Sequence, residues 1–179
     1  MDGAVSHPQP VIFHALPVGG GILALSALPG AGGDYSGDLE HLVSWRPAMV
    51  ICMAQDHEMI GVGAGALAAD VQNRGARWAQ LAVEKGAAPE PEVQAHWPVV
   101  RDQARRALLG GGRVLMHCAN GCGRSGMMAL RLMIECGDAP DDALRRVAHV
   151  RGCALGSQAQ VNWALQAERQ AALFVRHAD

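Results

Sequence analysis

One stretch of this sequence leaves little freedom to the rest: Val114-Leu115-Met116-His117-Cys118-Ala119-Asn120-Gly121-Cys122-Gly123-Arg124-Ser125-Gly126. Arg113-Val114-Leu115-Met116 reads as a buried strand that follows the helix-ending Gly110-Gly111-Gly112. A helix beginning near Arg124 carries Met127, Met128, Leu130, Leu132, Met133 and Ile134. It is apolar almost all round, so it must lie at the centre of the molecule. A buried strand running into a central helix requires a layered α/β sheet. Sites on such sheets form beyond the carboxyl ends of the strands, which is where Cys118 falls.

The remaining elements fit that frame. Val11–Ala15 and Gly21–Leu25 are expected as short strands around Pro17-Val18-Gly19-Gly20, followed by the Gly-rich loop Pro29–Asp34. A short helix starts at Ser36 or Gly37, with Leu39, Leu42 and Val43 on one side, and stops before Pro47. Met49–Met53 is a continuous apolar run, hence a strand covered on both faces. The Ala- and Gly-rich stretch to Asn73 reads as a weak helix stopped at Gly75, and Arg77–Val83 as another strand. From Pro91 to Leu109, Val93, Trp97, Val100, Ala104 and Leu108 share one face of a helix, with a proper start expected at Pro98. Two further helices are expected, one capped by Asp138 with Pro140 near its start, the other capped by Ser157. Strands alternating with helices predict a single α/β domain over residues 1–179, a mostly parallel twisted sheet of about 4–5 strands flanked by helices.

Composition narrows the function classes. A net charge of −2 leaves no electrostatic footprint for nucleic acid or an anionic membrane, so any anion site is built locally. No leader segment and no apolar run of about 20 residues is visible. Five cysteines, an odd number in a chain of 179 residues, fit a reducing cytoplasm with most of them buried as small hydrophobes.

The turn after Cys118 has the chemistry of an anion site. Its glycines let successive backbone N–H groups of Ala119, Asn120, Gly121, Cys122 and Gly123 turn inward as a nest. The following helix adds its unpaired N–H groups and the positive end of its dipole. The same field favours thiolate over thiol at Cys118 and makes it a nucleophile. Arg124 can grip two oxygens of a phosphate with its planar fork.

His117 through Gly126, read as His-Cys-x5-Arg-Ser-Gly, resembles the signature loop of the cysteine-dependent protein-tyrosine and dual-specificity phosphatases. The wider chain, over roughly residues 22–165, resembles the small bacterial and kinase-associated group. Val50–Met53 with Gln55-Asp56-His57-Glu58-Met59 is similar to its strand and acidic helix start. Arg77–Leu81 is similar to its tryptophan-bearing strand, and Gly111–Cys118 to its approach to the nucleophile. The resemblance implies a dual-specificity-phosphatase-like fold and hydrolysis of a phosphomonoester, from a phosphotyrosine or phosphoserine/threonine protein or a small molecule, without a cofactor or metal. Cys118 would form a phosphocysteine intermediate, Arg124 would hold the phosphoryl group, Ser125 would stabilise the leaving thiolate and His117 would tune the nucleophile. Gln160 would help position the hydrolytic water.

The expected Asp general acid has no match, since no Asp occurs between Asp70 and Asp102 and Asp102 faces away from the core stripe of its helix. Three readings stay open: Glu84, beside Lys85, supplies the proton; Asp56 or Glu58 reaches the pocket; or no dedicated acid exists, leaving slow turnover or a phosphate-recognition module. Cys52 or Cys122 could form a reversible disulfide with Cys118, against the plainer reading of two buried small residues. Sulfur transfer or arsenate reduction also uses a thiolate in an anion loop, but the position of this loop along the chain and its Arg-Ser-Gly helix entry argue against both. His117, Cys118 and Cys122 lack the further ligands of a zinc site, and His57 and His149 read as structural or exposed. Pro29–Asp34 lacks the Lys of a nucleotide-binding loop.

Overall fold

The computed structural model describes residues 7–170. Five strands form one sheet in the order β1-β2-β5-β3-β4: β1 (His14–Val18), β2 (Gly21–Ser26), β3 (Met49–Cys52), β4 (Arg77–Gln80) and β5 (Arg113–His117). Only β1 runs antiparallel, while β2, β5, β3 and β4 pair in parallel. Seven helices cover the described sheet: α1 (Tyr35–Trp45), α2 (Asp56–Gly61), α3 (Leu67–Asn73), α4 (Pro91–Leu109), α5 (Gly123–Glu135), α6 (Pro140–Val150) and α7 (Gln158–Leu165).

Strand alternation divides the core into two layers. Leu23 and Leu25 of β2, Met49 and Ile51 of β3, and Val114 and Met116 of β5 face one way, onto α4, α5 and α6. Ala24, Val50, Cys52 and Leu115 face the other way, onto α1, α2 and α3. The central helix α5 buries Met127, Met128, Leu130, Leu132, Met133 and Ile134, as its all-round apolar pattern requires.

Several boundaries differ from the sequence reading. The first strand is His14–Val18, not Val11–Ala15, and the turn shrinks to Gly19-Gly20. Both glycines have positive φ, 61° and 93°, which is the geometry that matches hairpin twist. Pro17 is accommodated because β1 is an edge strand and needs no second ladder partner. The stretch to Asn73 is two short helices, α2 and α3, rather than one. β4 stops at Gln80, although Leu81 and Val83 still donate to the carbonyls of Cys52 and Met53. α4 runs unbroken from Pro91 with Pro98 inside it, and buries Trp97, Val100, Ala104 and Leu108 on the expected stripe. Asp102 is exposed, as expected. Ala139, not Asp138, precedes α6, because Asp138 is engaged by Arg146 at 2.9 Å. Ser157 caps α7 as expected, accepting from the Gln160 amide.

Three parallel strands therefore deliver their carboxyl ends to one place. Ser26 pairs with His117 and His117 with Cys52, so the residue after β5, Cys118, emerges at the centre of the row.

Candidate active site

The loop from Cys118 to Arg124 is held open by groups outside it. Its carbonyls are occupied: Ala119 accepts from Leu28 N–H at 3.3 Å, Asn120 and Gly121 from the Arg151 guanidinium at 2.9 and 3.3 Å, and Cys122 from the Ser125 hydroxyl at 3.1 Å. The N–H groups of residues 119–122 donate to no protein group among the described residues. Carbonyls turned outward and N–H groups left unbonded make the nest that the glycines suggest. Gly121 is required at its position, with φ at 71°; a Cβ there would lie 2.5 Å from the Ser26 carbonyl carbon.

Cys118 is fully buried at the base of this loop. Its sulfur lies 3.4 Å from Ser125 Oγ and 3.8 Å from Asn120 Oδ1. Ser125 has one proton and two acceptors within reach, the Cys122 carbonyl and the Cys118 sulfur. It can therefore turn to the sulfur when that atom is anionic.

Arg124 is buried and fixed in orientation. Nη1 and Nη2 donate to Glu58 Oε2 and Oε1 at 2.7 and 2.8 Å, and Nη1 also donates to the Val83 carbonyl at 3.0 Å. One edge of the guanidinium is thus filled by Glu58, and the Nε–Nη2 edge keeps two parallel donors for an anion. Glu58's carboxylate and, beyond it, a negative Cys118 sulfur raise the pKa of Arg124 against the effect of burial, so it stays charged.

The same pair corrects one reading of the acid. Hydrogen bonds from Arg124 lower the pKa of Glu58 despite partial burial, and the Gln55 N–H adds to the effect. Glu58 is an ionised acceptor rather than a proton donor; its place is behind Arg124. Asp56 is tied to Gln80 Nε2 at 2.9 Å and does not line the cleft at the loop. Glu84 is exposed, and its neighbours Lys85 and Gly86 reach the cleft.

That cleft, about 210 Å³, is lined by Asn120, Cys122, Gly123 and Arg124 of the loop together with Lys85, Gly86, Cys153, Gly156, Ser157 and Gln160. No carboxylate lines it among the described residues. Gln160 is buried: Oε1 accepts from Ser157 N–H at 3.0 Å and Nε2 donates to the Ala87 carbonyl at 3.1 Å. Ser157 Oγ donates to the Gly86 carbonyl at 2.7 Å. The start of α7 thereby anchors the loop that carries Glu84 and Lys85.

His117 is completely buried, and neither ring nitrogen has a hydrogen-bond partner. Its ring lies tilted against the Trp78 ring at 5.9 Å, so it is held by packing rather than by hydrogen bonding. Burial lowers its pKa to about 3. The unfolded chain binds a proton near pH 6.5 that the folded chain refuses until about pH 3, so stability falls as pH drops through that window. Urea unfolding at several pH values should show this group contributing a slope of about 1.4 kcal/mol per pH unit near pH 4–5. His117→Leu should flatten the slope; an unchanged slope would mean that the ring is protonated or hydrated in the folded state.

Two residues carry the loop from a distance and were not singled out in sequence. Arg151, just after α6, binds two loop carbonyls, and Cys153 is disulfide-bonded to Cys122. Of the two open readings for Cys122, neither a bond to Cys118 nor a plain buried thiol is seen, and Cys52 is free. Cys122 caps α5 at the rim, facing the segment between α6 and α7, whereas Cys118 lies at the base. Cys52, Cys118 and Cys136 are free and buried. Burial pushes the thiols of Cys52 and Cys136 up to about 12, which leaves both unreactive.

No protein-family model matches the chain, and no curated protein matches it in sequence. Solved structures do match it in shape. Kinase associated phosphatase with its catalytic-site cysteine replaced by serine superposes with a TM-score of 0.74 at 20% identity, covering 88% of this chain and 94% of that one. Tk-PTP in a mutant form gives 0.69 at 21% identity, covering 86% and 93%. PTPMT1 in complex with PI(5)P gives 0.69 at 19% identity, covering 85% and 92%. No helix among the described residues is long and apolar enough to cross a membrane. By these superpositions the chain has the fold of the protein-tyrosine and dual-specificity phosphatases.

Proposed function

We propose that this chain hydrolyses phosphomonoesters, borne on a protein or on a small molecule, through a phosphocysteine intermediate. The observation that carries the reading is the convergence on one open nest of the Cys118 sulfur, the Ser125 hydroxyl at 3.4 Å and the free edge of Arg124. Cys118 thiolate attacks phosphorus, an S–P bond forms and the ester P–O bond breaks, with Arg124 and the loop N–H groups holding the equatorial oxygens. Water then attacks phosphorus, the S–P bond breaks, and Ser125 donates its hydrogen bond to the departing thiolate. Gln160 borders the cleft where that water would sit.

The leaving oxygen needs a proton unless it is a weak base. Glu84, one residue outside the cleft lining, supplies it on this reading. The experiment compares aryl and alkyl phosphates as substrates of the wild type, Glu84→Gln and, as the blank, Cys118→Ser. Aryl turnover should vanish in Cys118→Ser. In Glu84→Gln, alkyl turnover should fall about 100-fold while aryl turnover changes far less. Equal, unaffected rates on both classes in Glu84→Gln would remove Glu84 from the mechanism.

A second reading rests on the absence of a carboxylate from the cleft lining among the described residues: a phosphate-recognition module with little turnover. Tungstate binding without aryl-phosphate hydrolysis would select it.

A further inference from the structure

The Cys122–Cys153 disulfide stands apart from the chemistry assigned to Cys118. It joins the anion loop to the segment between α6 and α7, and both cysteines line the cleft. Cys153 is exposed and Cys122 half-buried, so the bond is open to attack from solvent at the Cys153 sulfur. Cys122 is the better leaving group. It sits at the N-terminal end of α5, a helix of 13 residues, and its sulfur lies 3.9 Å from Arg151 Nη2. Helix dipole and guanidinium both favour a thiolate there, and a stabilised thiolate leaves faster.

We infer that Cys122–Cys153 is a thiol-exchangeable lock on the anion loop, and that a dithiol opens it and weakens phosphate binding. This rests on the reading of the loop as a phosphate site. One thiolate of the dithiol attacks Cys153 Sγ, the Cys122–Cys153 bond breaks, and Cys122 departs with the electron pair. The second thiol of the reagent attacks the mixed disulfide and releases Cys153, which takes up a proton. The dithiol ends as its own disulfide, having supplied two electrons.

Opening has two consequences for the loop. A negative sulfur now stands at the rim of a nest that must accept an anion, and like charges repel at short range. Arg151, which holds the Asn120 and Gly121 carbonyls outward, acquires a competing anionic partner close to its Nη2. The other approaches of the segment to α5 involve neither sulfur, since Gly126 and Gly123 lie so close to Ala154 and Gly156 that a Cβ on either would meet their backbone. The effect is therefore confined to the loop.

The test uses the full chain at pH 8, with and without dithiothreitol, in three readouts. Alkylation followed by mass spectrometry should label Cys122 and Cys153 only after the dithiol is added, without unfolding. Tungstate binding, measured by calorimetry, should weaken about tenfold on reduction, the scale of one added like charge at short range. Aryl-phosphate turnover should show the same loss as a rise in KM. In the Cys122→Ser/Cys153→Ser double variant the ratio between reduced and oxidised affinities should be one, whatever its absolute affinity. Both cysteines alkylated before reduction, a bond that opens only on unfolding, or equal tungstate affinity in the two redox forms would overturn the inference. A tungstate shift without any turnover in either form would instead sink the phosphatase reading and leave the lock standing.

Discussion

Glu58→Ala is expected to lower kcat/KM for an aryl phosphate by about 100–1000-fold, although Glu58 touches neither the substrate nor Cys118 in the proposed reaction. Arg124 is aimed by Glu58 through two bonds of 2.7 and 2.8 Å, and among the described residues only the Val83 carbonyl remains to hold it when the carboxylate is gone. A guanidinium that swings by about 1 Å forfeits the bidentate grip, and misplacement on that scale costs about 100-fold. Arg124 is also buried, so removing its partner leaves a charge uncompensated and should cost about 3 kcal/mol in unfolding free energy. Glu58→Gln separates the two effects. It keeps the shape and one acceptor oxygen, so it should recover most of the stability and only part of the rate. Equal kcat/KM in the wild type and Glu58→Ala would mean that Arg124 is oriented without Glu58. Urea unfolding and steady-state kinetics on the same preparations make the comparison.

The largest effect on stability is expected at Gly126, in the first turns of α5. A Cβ there would lie 1.9 Å from the Ala154 carbonyl oxygen and 2.6 Å from its carbon, both backbone atoms that cannot rotate away. Either α5 or the segment behind it must shift, and shifts of packed backbone cost about 3 kcal/mol or more. The same shift would move Cys153 relative to Cys122 and Arg151 relative to the loop carbonyls, so anion binding should weaken along with stability. Gly152 lies in the same segment, but nothing approaches within 4 Å of its Cβ position, so Gly152→Ala should stay within about 0.5 kcal/mol of the wild type. If Gly126→Ala unfolds at the wild-type urea concentration, the close approach of α5 to Ala154 is relaxed in solution.

What could be read from the sequence and what could not have separate physical causes. The strand, cysteine loop and central helix were legible because each is written in local pattern: an apolar run, glycines, and a helix apolar on every side. The two-sided strand at Met49–Met53 was legible for the same reason. The shift of the first strand by three residues was not, because β1 is an edge strand whose register is set by a two-glycine turn rather than by its own pattern. Within the site, Cys118, Arg124 and Ser125 share one loop and could be read together. Glu58 was considered as an acid but not as the partner of Arg124, and Arg151 and Cys153 were missed. These residues reach the loop across distances that only the topology creates, and nothing in an isolated Arg-Gly-Cys reveals that it lies behind an anion nest.

Arg124 also ties the site to the order in which the chain is assembled. Its partners lie 66 and 41 residues earlier in the chain, on α2 and after β4. Contacts of such separation close late, because loop entropy must be overcome before they contribute. A chain that had formed β5, the turn and α5 alone would possess the cysteine and the glycines, yet its guanidinium would be unaimed. On the proposed function, two-pronged capture of a tetrahedral anion would thus belong to the completed molecule, and its regain after denaturation would mark the closing of the most distant contacts around the sheet.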